Sequence, residues 1–359
     1  MKQLKAAVGT AKLSCTLFGT IVGAGFLSGA ELVRFFPAEG YLSYVGISAL
    51  LFAACFFLLY RCGKKYGGYA QTLSGVFGKA APLFQTVMAV SSLIMCASML
   101  AGLNAAAREG FGMSGQIPVV SLAVLPLLYG LSGRGVKGVF WVNLILVPFI
   151  FAFVFACAGA SAQPGMRGES SYASIGLVQV IAYVSMNCFL AAPLICDAGA
   201  QGAGGGLGCA LSALLIGVCT ATLLNTIAGS AIDPQAEMPV LQALGSGVRL
   251  PFTLVCVCGI LTTLLSSWYP LHTAMQARRG ARLRRAALLA AAFVLSLLGL
   301  RPLIRFIYPL VGAAGAVFLA ICARKSGLLF DKPLFGERDE RVHSRGEHAE
   351  DGGCRHHEV

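Results

Sequence analysis

The chain has 359 residues, of which 57% are hydrophobic and 12% charged, and its mean hydropathy is +0.77. So much apolar surface excludes a soluble domain and marks an integral membrane protein. The formal charge of +12 at pH 7 sits largely at the ends of apolar runs. It therefore reports topology rather than nucleic-acid binding, and a basic stripe meeting anionic lipid headgroups is its fitting use.

A helix needs about 20 apolar residues to cross the hydrocarbon core, and uncharged stretches of that order recur as far as Ala323. Barrel strands would be half as long and alternating. Ten spans are predicted, over residues 13–36, 41–60, 80–107, 117–133, 138–163, 172–196, 207–231, 251–274, 284–300 and 303–323. The ninth has a short apolar part, extended by snorkelling Arg284 and Arg285. An even count puts both termini on one side. Lys2, Lys5 and Lys12, then Arg61, Lys64, Lys65 and Lys79, then Arg134 and Lys137, then Arg278, Arg279 and Arg282 alternate with basic-poor loops. Basic residues near span ends stay in the cytoplasm, which is where this pattern places both termini. No short apolar core with a small-residue cleavage site precedes the first span, so no cleavable signal peptide is expected.

Residues 1–330 form a single predicted transmembrane domain with short connections, the longer loops being 61–79, 197–206 and 232–250. The stretch 198–208, "AGAQGAGGGLG", is too glycine-rich for a stable helix and is expected to be a flexible cytoplasmic connection. Residues 331–359 are charged and aperiodic, as in a disordered cytoplasmic tail. The tail carries His343, His348, Cys354, His356 and His357 without regular ligand spacing, so a solvated tail is preferred over a metal site. Most of the thirteen cysteines fall inside spans, where they serve as small packing residues rather than disulfides.

The first span carries Gly19, Gly23, Gly25 and Gly29, each worth roughly 1 kcal/mol of lost helix stability against alanine. Two explanations stand. Gly19/Gly23 and Gly25/Gly29 are G-x-x-x-G pairs that let a neighbouring helix approach. Alternatively the helix unwinds over Val22–Phe26, a break that survives at membrane depth only where it lines a polar or protein-enclosed cavity. In that case carbonyls near Thr20–Val22 face a cation and amides near Gly25–Phe26 face a carboxylate, so one gap serves both charges of a zwitterion. A transporter of inverted repeats needs a second interruption five helices on. The sixth span offers Ser185 and Asn187 at its centre and Pro193 just past Ala191–Ala192. A plain proline kink with a packed asparagine is the alternative there.

The stretch "GTIVGAGFLSGAELVRFF" resembles the first-helix signature of the bacterial YkvI-type membrane proteins. That group is related to the amino acid–polyamine–organocation superfamily, with its LeuT-like fold. The similarity runs through all ten spans, including Asn187 and the paired threonines of span eight. The resemblance implies an all-α polytopic protein of the bacterial cytoplasmic membrane. Its ten helices would form a five-plus-five inverted repeat, about 13–164 and 170–323, with discontinuous spans one and six lining the site. It implies no particular substrate. In sodium-coupled LeuT-like transporters, span-one carbonyls and span-eight hydroxyls hold the ion. By resemblance the matching positions are Gly19 and Val22 with Thr262, Thr263 or Ser266. Thr262/Ser266 and Thr263/Ser267 each share a helix face, although such hydroxyls also commonly bond back to their own helix.

Glu31 lies about five residues beyond the proposed break, roughly 7 to 8 Å along a straight helix. It is expected to bind a substrate amine, gate the outward path with Arg34 or carry a proton. The plain alternative is an i, i+3 pair with Arg34 at the interface. Span three adds Ser91, Ser92, Ser98 and Asn104 with Met95 and Met99, a mildly polar face suited to a cavity wall or to packing.

Enzyme chemistry is not expected, because His272 is the sole histidine outside the tail and interior acids are too few for a dyad. A channel would show a repeated pore loop or an acidic ring. The expected function is secondary active transport of a small polar solute, an amino acid or related amine, by alternating access. Its candidate substrate-binding residues are Gly23, Ala24, Gly25, Phe26, Glu31, Ser185 and Asn187. Sodium is the candidate coupling ion, and no organic cofactor is expected. The partners are the solute and the bilayer, with no nucleic acid. The alternative is a non-transporting membrane sensor or scaffold that retains a transporter fold.

Overall fold

The computed structural model describes residues 2–113, 118–131, 135–160, 176–202, 204–228, 230, 236–275 and 280–326. Among them every regular element is helical, the secondary structure that satisfies all backbone groups within one segment in lipid. In chain order these are α1 (Lys2–Ile21), α2 (Ala24–Leu27), α3 (Ala30–Phe35), α4 (Tyr41–Tyr66), α5 (Tyr69–Phe77) and α6 (Ala81–Ala105). A π-turn over Ala106–Gly110 prolongs α6, and α7 (Val119–Leu131), α8 (Gly135–Ala160), α9 (Gly176–Ala200), α10 (Gly205–Ala228), α11 (Pro239–Ala243) and α12 (Ser246–Met275) follow. The last are α13 (Ala281–Ser296), the single turn α14 (Leu300–Pro302), a π-turn over Leu303–Ile307 and α15 (Tyr308–Lys325). Among the described residues, six helical stretches are long and apolar enough to cross a membrane, and Val119–Gly130 and Trp141–Ala156 are shorter apolar helices. The expected tail at 331–359, and Arg278 and Arg279, lie outside the described residues.

Three sequence expectations need correction. The expected loop at 61–79 is mostly helix: α4 runs on to Tyr66, and α5 starts after a corner at Gly67 and Gly68, whose φ angles of 93° and 124° suit glycine. The supposed flexible run 198–208 is helical at both ends, with α9 reaching Ala200 and α10 starting at Gly205. Packing holds its glycines in helix, since Gly199 lies against the Tyr60 carbonyl of α4 and Gly208 against Leu13 of α1. The third correction concerns the sixth span. Instead of breaking, α9 runs unbroken through Pro193. A proline removes a single backbone hydrogen bond, and with no glycine between Gly176 and Gly199 the chain has no residue suited to leaving helical φ.

Buried α9 packs between α4 and α15, while α12 packs against α6 and α8, and α1 against α8, α10 and α12. Lipid supplies no hydrophobic drive between helices, so close backbone approach does the work. A Cβ on Gly63 of α4 would collide with the Cys196 backbone of α9, and one on Gly315 of α15 with the Ser185 carbonyl. At one end of this contact Asp197 accepts the Tyr69 N–H at 2.9 Å and the Tyr269 O–H at 2.8 Å, joining α9 to α5 and α12. Gly63→Val is expected to destabilise the protein by about 1–3 kcal/mol through overpacking. Gly46→Ala on the same helix, where nothing lies within 4 Å, should be nearly silent. Thermal unfolding of the two variants in detergent checks the contrast.

Candidate functional site

The first span is interrupted twice. Its last regular bond before the first interruption runs from Val22 N–H to the Phe18 carbonyl at 2.8 Å, after which Gly23 N–H turns back to Ile21 O at 2.9 Å. The chain is extended at Gly23 (φ −107°, ψ −156°), resumes for one turn as α2, and turns again at Gly29, whose φ is 84°. Ser28 secures this second corner: its hydroxyl donates to Gly25 O at 3.2 Å and accepts from Ala30 N–H at 3.2 Å. Its carbonyl accepts the Val240 N–H of α11 at 2.9 Å. Val22, Ala24, Phe26 and Leu27 are all fully buried, so the loosened backbone is enclosed by protein and not by lipid, the condition under which such a break is tolerated.

Helices α6 and α12 form the walls. The Ala24 N–H donates to the Met99 sulfur at 3.4 Å, a weak acceptor for a peptide donor. Across the gap, the hydroxyls of Thr262 and Thr263 donate to the Gly19 carbonyl at 3.0 and 2.9 Å. Thr20 Oγ1 lies 3.1 Å from Ser266 Oγ. The Val22 carbonyl oxygen lies 3.0 Å from where a Cβ on Gly259 of α12 would stand. Thus Gly19, Val22, Thr262 and Thr263 meet along one seam, with Ser266 about one turn further along. Thr262 also bonds back to Gly259 O at 2.8 Å, so reaching across and bonding back coexist. Oxygen atoms of carbonyls and hydroxyls suit a hard cation such as sodium. Among the described residues no group of three His, Cys, Asp or Glu side chains could hold a metal ion.

The carboxyl of Glu31 folds back over the break. A Cβ on Gly25 would overlap its Oε1 and stand 2.5 Å from its Cγ. The corner at Gly29 brings it there, whereas a straight helix would have carried it away. Glu31 is 2% exposed, and its Oε2 has no hydrogen-bond partner. The alternative pair with Arg34 is not formed: Arg108 pairs with Glu237, and the Arg34 guanidinium lies 5.9 Å from the centre of the Phe35 ring. Within electrostatic reach of Glu31 are two buried phenols, Tyr183 of α9 and Tyr308 of α15. Tyr308 donates to Met95 Sδ at 3.4 Å, while the Tyr183 hydroxyl has no partner.

Ser185 and Asn187 are buried in the middle of α9, but no hydrogen bond joins them to the break. The Asn187 amide donates to Tyr183 O of its own helix at 2.9 Å, and the Ser185 backbone lies against Gly315. Sequence reasoning missed Tyr183, Tyr308 and Asn143, whose side chain lies where a Cβ on Gly19 would stand. The signal for Tyr183 was its place one turn before Asn187. Met99 was noted only for the polar face of its span.

No protein-family model matches the chain. The uncharacterized membrane protein YkvI of Bacillus subtilis (strain 168) is 28% identical, the match covering 91% of this chain and 98% of that protein. The chain resembles YkvI along nearly its whole length. Among solved structures, a manganese transporter of Eremococcus coleocola (mutant H236A) superposes with a TM-score of 0.63 at 14% identity, over 93% of this chain and 82% of that one. Mhp1, a nucleobase-cation-symport-1 family transporter solved in a closed conformation with bromovinylhydantoin bound, gives 0.57 at 13% identity, over 89% and 76%. The helical architecture is therefore that of LeuT-like transporters, as the first-span motif implied. For the transport expected from the sequence, Gly25→Leu should displace the Glu31 carboxyl and abolish solute binding while membrane insertion persists. Size-exclusion profiles beside binding measurements check this, and loss of insertion together with binding would assign the glycine to packing.

Proposed function

We propose that the chain is a secondary transporter of a small polar solute, an amino acid or related amine, working by alternating access. The observation that carries this reading is the doubly interrupted first span, whose Ala24 amide rests on a sulfur and whose Gly19 carbonyl rests on hydroxyls of another helix. Both partners are exchangeable. A solute carboxylate is a stronger acceptor than a thioether, and a sodium ion would take the carbonyl and hydroxyl oxygens together. In this proposal the solute occupies the backbone of Gly23, Ala24, Gly25 and Phe26, and its amino end extends toward Glu31. Ser185 and Asn187 come into play only as α9 moves against α15.

The finer architecture belongs to the same proposal: ten spans in a five-plus-five inverted repeat, both termini cytoplasmic, in a bacterial inner membrane. Since α9 is continuous, the second repeat would answer the break in the first with a proline hinge at Pro193. Sodium would sit among Gly19, Val22, Thr262, Thr263 and Ser266. The full chain reconstituted into vesicles should accumulate at least one member of a panel of labelled amino acids and amines under a sodium or proton gradient. No gradient-driven uptake across the panel would favour a sensor or scaffold. In a chain that transports with sodium dependence, the double variant Thr262→Ala/Thr263→Ala should lower the apparent sodium affinity at least tenfold, and an unchanged sodium response would retire that site.

A further inference from the structure

We infer that Glu31 holds an exchangeable proton within the membrane, and that the ammonium group of an amine solute displaces it on binding. This rests on the transport reading for its ligand class, though the proton site itself is open to separate test.

The argument begins with isolation. Among the described residues Glu31 is the one buried carboxyl, and an ionised carboxylate cannot remain in such surroundings without a cation or several donors. Every element packed against α3 bears on this. On α3 itself, Arg34 turns to the Phe35 ring, and its Nε has no partner. The neighbouring turn of α2 carries no titratable side chain. From α9 comes Tyr183, packed on the Phe35 and Phe36 rings, α10 carries the buried Cys219, and Tyr308 opens α15 directly after the π-turn that meets α3. The π-turn before α15 contributes Arg305, which is exposed. None of these supplies a positive charge at the carboxyl, so the neutral acid fits the arrangement seen.

Position supplies the second part. The carboxyl covers Gly25, inside the break, so a solute held by the break meets it directly. The partnerless Tyr183 hydroxyl, within electrostatic reach of Glu31, leaves an oxygen atom free to accept a further ammonium N–H bond, whereas the Tyr308 hydroxyl is engaged with the Met95 sulfur and Ser98. An arriving ammonium ion thus supplies the charge that the carboxyl lacks. The exchange balances simply: the neutral acid and R–NH3+ become a carboxylate–ammonium pair, and the acid's proton leaves to whichever aqueous side the site faces. No bond within the solute forms or breaks. A proton moves opposite to each amine, and the empty carrier returns with Glu31 reprotonated.

Infrared difference spectroscopy of the full chain in lipid bilayers, with ethanolamine, putrescine and alanine as probes, tests this. The wild type at neutral pH should show the C=O stretch of a protonated carboxyl, absent in Glu31→Gln and shifted in Glu31→Asp, the second variant guarding against a glutamine form that misfolds. An amine that binds should remove the band and release one proton. Its apparent affinity should strengthen as pH rises, approaching about tenfold per pH unit while proton and ammonium compete, and Glu31→Gln should flatten that dependence. Identical carboxyl spectra in wild type and both variants would overturn the inference, as would a Glu31 band untouched by an amine that the same vesicles take up. An amine that abolishes the band in a chain that moves no solute supports the exchange and counts against the transport reading instead.

Discussion

Peptide groups withdrawn from a helix at membrane depth are the constraint around which this molecule is arranged. Each such group left without a partner in an apolar interior costs several kcal/mol, so the first span can open at Val22–Gly23 only because other helices close over it. Met99 of α6 meets the Ala24 amide, and Thr262 and Thr263 of α12 meet the Gly19 carbonyl. Gly102 and Gly259 let those two helices come close enough, since a Cβ on either would strike Ala24 or Leu27. The glycines of the first span therefore act in two ways at once. Gly23 and Gly29 release the backbone from the helix, while Gly19 and Gly25 make room for Asn143 and Glu31.

Part of this was legible in the sequence, where the glycine spacing of the first span admitted a broken helix as well as close helix packing. The interruption of the first span was one of two readings of its glycines, and its pairing with the threonines of α12 came from the resemblance to LeuT-like transporters. In the sixth span the expected break does not form, and a continuous proline-bearing helix with a packed asparagine stands instead. Pro193 removes one donor yet keeps a helical φ, and Ala191 and Ala192 before it are good helix formers, so α9 carries on. Composition likewise misjudged residues 198–208. Glycine weakens an isolated helix, but Gly199 is required where the Tyr60 carbonyl leaves no space for a side chain.

Glu31 illustrates what linear distance conceals. Counting 1.5 Å per residue along an uninterrupted helix moves the carboxyl away from the break, and pairing with Arg34 is then its natural fate. One residue at positive φ, Gly29, reverses that outcome and lays the side chain over Gly25. Its phenolic neighbours come from α9 and α15, far away in sequence, and no periodicity announces them. Buried acids in membranes usually answer to a partner, and here the partners available at rest are neutral.

The partners at the break fit the proposed working role, the weakest of them being the Met99 sulfur that meets the Ala24 amide. A backbone opened only for packing would be best sealed by strong, permanent hydrogen bonds. Instead, its amide side ends on a thioether, its carbonyl side on rotatable hydroxyls and its nearest acid on nothing. Under the proposed function each of those contacts would give way to something better: a carboxylate for the sulfur, a cation for the donated hydroxyl protons, an ammonium for the acid's own proton. A solute bringing an anionic and a cationic end would improve both sides of the gap at once without leaving any group orphaned. On the proposed transport function, such a break would be satisfied both without and with its solute, as a carrier requires if it is to cross between its two faces in both conditions.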